Sequence, residues 1–127
     1  MEVINSKLCV TTFALVIITT ITANAGAFWG ATVKNVPAGD HLNVRKFSNA
    51  TSAVLGVFNN GDDVSFTGNC ENSKSHKGFT VDGTHTVLQN YNRMKATNVW
   101  CEVYLETPAG SGKFAAGWAK GKFLWPN

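Results

Sequence analysis

Short stretches of alternating apolar and polar residues dominate this chain, and the 3.6-residue period of an amphipathic helix is nearly absent. The stretches are rich in Val, Phe, Trp and Tyr and are separated by Gly, Asn, Asp or Pro, which is typical of β-strands joined by turns. The pattern favours an all-β fold, a small antiparallel barrel or sandwich. The predicted strands are Trp29–Val36, Leu42–Arg45, Val54–Phe58, Asp63–Thr67, Val99–Leu105 and Phe114–Ala119.

A turn between two further strands is predicted in the segment 79–87, which reads FTVDGTHTV. Apolar and polar residues alternate on both sides of the pair Asp82-Gly83. Asp-Gly is favoured in two-residue type I′ turns because both central residues need a positive φ. The segment therefore predicts a β-hairpin centred on Asp82-Gly83.

The first 25 residues have the pattern of a secretory signal peptide. Lys7 precedes the apolar run Leu8–Ile21, and the small residues Ala23 and Ala25 mark a cleavage site. The alternative is a membrane anchor, but the run is shorter than the roughly 20 residues that a spanning helix needs. We therefore predict export with cleavage of residues 1–25, leaving a single domain, residues 26–127, with no membrane span.

Only two cysteines, Cys70 and Cys101, remain after that cleavage. An even count in an oxidising compartment predicts a disulfide bond. Alternation along the strands places Val64, Phe66 and Cys70 on one face, and the odd-numbered residues of 99–105 on the core face as well. Both cysteines thus lie on buried faces, where cross-strand Cβ atoms come within about 4.5 to 5.5 Å of each other.

The formal net charge of +3 is small and spread along the chain. No run of Lys or Arg exceeds two residues, so the charge predicts no nucleic-acid partner.

Four separated motifs resemble the bacterial SH3 domain, also called SH3b or SH3 type 3. Leu42–Arg45 (LNVR) is similar to the opening of that family, and Ala53–Cys70 to the segment that follows it. Trp100–Val103 resembles its W-x-x-V strand, and Gly117–Leu124 its closing G-W motif. The resemblance implies a small SH3-like antiparallel β-barrel. The chain departs from the family in an insertion, residues 71–98, at the n-Src-type loop, where the predicted hairpin lies.

The resemblance also implies a shallow aromatic groove. Alternation turns Trp100 and Tyr104 away from the core, and in SH3-like barrels the Trp of this strand forms one wall of the groove. Phe123 takes the position of an aromatic residue in the closing motif, and Phe47 lies in the first long loop. We predict that these four residues bind the ligand. The alternative is that Trp100 and Phe123 merely cover the barrel end. Trp118 is expected in the core.

The sequence contains only weak signals for a catalytic site or a metal site. His76 and His85 lie near Asp82 but lack a third ligand at a regular spacing, so no metal site is predicted. No nucleophile is paired with a histidine once the cysteines are bonded, and neither enzymatic activity nor a cofactor is predicted. The loop Lys46–Ser52 contains no acidic residue, which disfavours recognition of Pro-rich peptides.

These features, with the resemblance, predict an exported, periplasmic or secreted, non-catalytic binding module of the bacterial cell envelope. The implied ligand is peptidoglycan or wall peptides. The alternative is a periplasmic interaction or inhibitor module, which contacts a cell-envelope protein through the inserted hairpin. A third and weaker reading is an enzyme that uses the insertion as a lid.

Overall fold

The computed structural model describes residues 29–127. The signal peptide predicted at residues 1–25 lies outside these residues. The elements in this range are β1 (Trp29–Val33), β2 (Leu42–Arg45), β3 (Val54–Phe58), β4 (Asp63–Asn72), β5 (Gly78–Thr80), α1 (Val87–Met94), β6 (Val99–Glu106), β7 (Phe114–Lys120), a 3-10 helix (Gly121–Phe123) and β8 (Leu124–Pro126).

All six predicted strands are present, and the prediction of an all-β fold is confirmed for the described residues. Strands β2 and β3 have the predicted bounds. Strand β4 continues five residues beyond the prediction, to Asn72. The extension follows from a bulge after Phe66, where Gly68 has a φ of 90° that favours glycine and the strand then resumes its pairing at Cys70.

The strands form one antiparallel sheet in the order β3-β2-β7-β6-β4-β1-β8, and β5 pairs with β4 beside this path. The sheet is open, because β3 and β8 are its ends and do not pair with each other, so the predicted closure into a barrel is not observed. Strand β3 packs over the core instead. A Cβ at Gly56 would lie 2.5 Å from Leu105 Cδ2, and Leu55 contacts the core cluster.

The core lies on one face of this curved sheet. The predicted alternation is confirmed, since Val64, Phe66 and Cys70 of β4 are buried. The odd-numbered residues of β6 are buried as well. The largest completely buried side chains are those of Phe66, Met94, Leu124, Val33, Val44, Val81, Val103, Pro126 and Cys101.

The predicted disulfide bond between Cys70 and Cys101 is confirmed, with an S–S distance of 2.04 Å. The two residues face each other in the register of β4 and β6, and their Cα atoms are 4.0 Å apart. In the chain-entropy description, closing a loop of this size stabilises the fold by about 3 to 4 kcal/mol. The bond also fixes both ends of the segment 71–98.

The hairpin predicted at Asp82-Gly83 is not formed. Strand β5 ends at Thr80, and helix α1 stands where the second arm was expected. The Asp82 carboxylate accepts hydrogen bonds from Thr84, which closes a turn without a second strand. Thr86 then caps the helix, because its hydroxyl accepts from the Gln89 N–H and the Gln89 side chain accepts from the Thr86 N–H.

Helix α1 is held against the C-terminal end of the sheet. The ring of Tyr91 packs 4.7 Å from that of Trp125, and its hydroxyl donates to the Lys122 carbonyl at 2.9 Å. Close approach requires glycine at the neighbouring position, since a Cβ at Gly121 would lie 2.4 Å from the Met94 carbonyl oxygen. Within residues 29–127 no helix has the length and apolar character needed to cross a membrane.

Candidate functional site

Trp100 lies on the face of β6 opposite Cys101, as predicted, but it is not an open groove wall. Only 4 % of its surface is exposed. Its neighbours across the strands are Lys120 on β7 and Glu71 on β4. The Lys120 ammonium nitrogen lies 5.9 Å from the centre of the Trp100 rings. Trp100 is thus buried on the face of the sheet that was expected to carry the groove, and it offers little surface for stacking.

Trp100 instead lines a groove of about 630 Å³, which we call the lysine groove. Four lysines line it together with small and polar residues, and no acidic residue does. The lining residues are Asn49, Ala50, Ser73, Lys74, Lys95, Ala96, Thr97, Asn98, Val99, Trp100, Lys120 and Lys122.

Separate elements bring the four lysines to one place. Lys74 lies in the turn between β4 and β5, where the Asn72 side chain accepts its N–H at 2.8 Å. Lys95 is the C-terminal cap of α1. Lys120 ends β7, and Lys122 follows in the 3-10 helix. The disulfide bond and the packing of α1 thus fix the relative positions of these backbone segments.

The positive charge of the lysine groove is not neutralised within residues 29–127, where no carboxylate forms an ion pair with any of its four lysines. Three of the ammonium groups lie over aromatic rings instead, Lys95 over Tyr91, Lys120 over Trp100 and Lys122 over Phe123, at 5.9, 5.9 and 5.0 Å. Ring faces attract cations but carry no net negative charge. The groove is therefore suited to a ligand with carboxylate or phosphate groups.

The other predicted ligand-binding residues do not line this groove. Phe47 is 56 % exposed in the loop that also contributes Asn49, and Lys46 lies 5.5 Å from its ring. Phe123 is half-buried against the core. Tyr104 is partly exposed opposite Ala116. The four aromatic residues predicted as one site are thus not brought together in a single cavity.

Trp118 was expected in the core, and this prediction is wrong. Gly117 and Ala119 are buried, whereas Trp118 lies on the other face of β7 and is partly exposed. It faces Glu102 across the strands and lines a second groove of about 360 Å³, which we call the Trp118 groove. That groove is lined by Asn69, Cys70, Glu71, His76, Gly78, Phe79, Thr80 and Trp118.

The lysines of the first groove were missed because they are far apart in the sequence. Lys74 and Lys122 are separated by three strands and a helix, so no run of basic residues indicates the site. The sequence does contain a signal for the start of the helix that supplies Lys95. Thr86 and Gln89 have the Thr-x-x-Gln spacing of a capping box.

No three His, Cys, Asp or Glu side chains come together within the described residues, so these residues form no group that could hold a metal ion. Asp82 and His85 form the one pair of note. Hydrogen bonds from the Thr84 side chain, and then from His85, lower the pKa of Asp82 from 3.8 to about 2. The Asp82 Oδ1 to His85 Nδ1 distance is 3.2 Å, and both side chains are exposed.

No family model, no curated protein and no solved structure matches this chain.

Proposed function

We propose that residues 26–127 form an exported, non-catalytic binding module that holds an anionic ligand of the bacterial cell envelope in the lysine groove. The observation that carries the proposal is the set of four lysines around Trp100, none of them paired with a carboxylate within residues 29–127. Concentrating unpaired like charge costs free energy in the absence of a ligand, and an anion offsets that cost.

The ligand class follows from the chemistry of the groove and from the SH3b resemblance. Wall peptides carry carboxylates, and anionic wall polymers carry phosphates. Lysine ammonium groups on flexible stems suit such ligands, since they bind as mobile point charges rather than in the fixed geometry of arginine. The volume of about 630 Å³ is in the range of sites for ligands of several hundred daltons.

We propose for this module an SH3-like arrangement of strands, with the sheet left open between β3 and β8. The four motifs fall on β2, on β3 and β4, on β6, and on β7 with the 3-10 helix, so each motif coincides with an element. The insertion 71–98 then contributes Ser73, Lys74 and Lys95 to the groove. In this arrangement the insertion supplies part of the binding site in addition to bordering it.

Retention on purified sacculi tests the proposal. We expect wild-type protein to be retained, and the double variant Lys120→Gln/Lys122→Gln to be retained roughly tenfold less, because two charges of about 1 kcal/mol or less each are removed. The matched control is Lys77→Gln/Lys113→Gln, which removes two exposed lysines outside the groove. Failure of the wild type to bind, or equal losses in both double variants, would contradict a specific site.

A second candidate function is a protein-interaction or inhibitor module that uses the insertion as its contact surface. Two apolar side chains on the first turn of α1 favour this function, because Val87 and Leu88 are 42 % and 58 % exposed. Leu88→Gln tests it. Loss of a periplasmic protein partner in this variant, with sacculus retention unchanged, supports the interaction module over the wall-binding one.

A further inference from the structure

The face of the sheet that carries Trp118 has a continuous row of polar and aromatic side chains. Thr80 on β5 faces Asn69 on β4, and the Asn69 amide donates to a Glu102 carboxylate oxygen at 3.3 Å. Glu102 in turn faces Trp118 on β7. Four strands thus contribute to one surface, and the Trp118 groove lies on it.

Several polar groups along this groove have no partner among the described residues. The Glu71 carboxylate, the Thr80 hydroxyl and the His76 imidazole make no hydrogen bond or ion pair within residues 29–127. The side-chain oxygen Oδ1 of Asn69 also accepts no hydrogen bond within residues 29–127, since only the side-chain nitrogen Nδ2 contacts Glu102. Both donors and acceptors therefore remain available beside a partly exposed indole.

The groove has no excess of either charge. Glu71 lines it and Glu102 adjoins it. Two arginines adjoin it as well, since Arg45 faces Trp118 from β2, and the Arg93 guanidinium lies 4.6 Å from the Phe79 ring and donates to the Thr80 carbonyl at 3.3 Å. This balance favours a neutral ligand over a charged one.

We infer that the Trp118 groove binds a neutral sugar ring. The indole stacks on the C–H face of the ring, and the side chains of Asn69, Glu71, Thr80 and His76 exchange hydrogen bonds with its hydroxyl groups. A volume of about 360 Å³ accommodates one or two pyranose rings. The inference does not depend on the proposed function, since the groove, its charge and its ligand chemistry are all different.

Two-dimensional NMR titration of the full mature chain with chitotriose, a neutral trimer of N-acetylglucosamine, tests the inference. We expect saturable shifts of the Trp118 indole N–H and of the backbone amides of Asn69, Glu71 and Thr80. Trigalacturonic acid, which is an anionic sugar trimer, should leave these signals unchanged. Saturable binding of the anionic trimer at Trp118, or no saturable shift with the neutral one, would overturn the inference.

Matched tryptophan variants separate binding from folding. Trp118→Leu keeps apolar volume but removes the ring, and should weaken chitotriose at least tenfold with the amide spectrum otherwise preserved. Trp125→Leu removes a half-buried tryptophan that lies against Tyr91 and outside the groove. It should change the affinity less than twofold. Equal weakening in both variants would refute the site. The Lys120→Gln/Lys122→Gln variant should bind chitotriose as the wild type does, so this test can fail independently of sacculus retention.

Discussion

Trp100 and Trp118 are the same residue type on the same face of adjacent strands, yet they differ in burial and in the grooves beside them. Trp100 is enclosed and borders a groove with four lysines, whereas Trp118 is partly exposed in a groove that no lysine lines. The strands do not account for the difference, because each tryptophan has one basic and one acidic cross-strand neighbour, Lys120 and Glu71 or Arg45 and Glu102. What differs is the chain that surrounds the two positions.

The lysine groove is built mainly from connections, with the β4–β5 turn, the end of α1 and the loop 46–52 forming its walls. The Trp118 groove is built mainly from strands, with β4, β5 and β7 supplying most of its lining. Connections can bring charges from distant parts of a sequence to one site, while strands impose alternation and register. One sheet thus presents two sites of different chemistry.

Replacing each tryptophan by alanine should give the largest difference in stability between the two positions. We expect Trp100→Ala to lower the free energy of unfolding by about 3 to 5 kcal/mol, because a buried aromatic side chain is lost. Trp118→Ala should cost less, about 2 kcal/mol, since part of its side chain is exposed. Chemical denaturation measures both values. Equal losses would mean that Trp118 is as much a part of the folded core as Trp100.

Removing the disulfide bond should affect both grooves together. Cys70→Ser/Cys101→Ser is expected to lower the free energy of unfolding by about 3 to 4 kcal/mol, since the unfolded chain regains the freedom of the loop. Reduction of the wild-type protein should give a similar loss, and this provides the control for the serine substitutions. A loss below about 1 kcal/mol in both measurements would show that the bond is not needed to fix the ends of residues 71–98.

The salt concentration should change ligand affinity at one groove and not at the other, without any mutation. Raising NaCl from 50 to 200 mM should weaken inorganic polyphosphate binding at the lysine groove about tenfold, because bound counterions are displaced on binding. Chitotriose binding at the Trp118 groove should change less than twofold, since it involves no net charge on the ligand. Fluorescence titration and NMR titration give the two affinities. Similar salt dependence for both ligands would contradict the assignment of an anionic ligand to one groove and a neutral ligand to the other.

The strands could be predicted from the sequence, and so could the disulfide bond, because alternation is a local property that burial enforces. The odd residues of β6 and the cysteine positions follow from it directly. The bulge at Gly68 and the pairing of Cys70 with Cys101 preserve that alternation across a break in register. Signals of this kind are contained in a few adjacent residues.

The candidate site could not be predicted in the same way. Lys74, Lys95 and Lys120 converge only through the fold, so the spread of charge along the chain concealed their clustering in space. Asp82-Gly83 failed as a hairpin signal for a different reason. The side chains of Thr84 and Thr86 offer the backbone hydrogen bonds that favour a turn and a helix start over a second strand.

Lowering the pH should have the smallest effect on stability, and this effect should be confined to the segment that leads into α1. The pKa of Asp82 is lowered to about 2, first by the Thr84 hydroxyl and then by His85, so the folded state favours the carboxylate. This contribution to stability is complete above the ordinary pKa of 3.8 and is lost as the pH falls through about 2. Asp82→Asn should therefore be less stable than the wild type at pH 5, and the difference should vanish near pH 2.

Thermal unfolding followed by circular dichroism between pH 5 and pH 2 measures this difference. Thr84→Val should show a reduced acid dependence, because it removes the largest cause of the shift while keeping the Asp82 charge. Helix α1 reaches both grooves, through Lys95 in the lysine groove and through Arg93, whose guanidinium lies 4.6 Å from the Phe79 ring of the Trp118 groove. Acid should accordingly disturb the amide signals of residues 82–89 more than those of Trp100 and Trp118 on the strands. An equal response on β6 and β7 would place the acid-sensitive contact in the sheet, and not in the turn at Asp82.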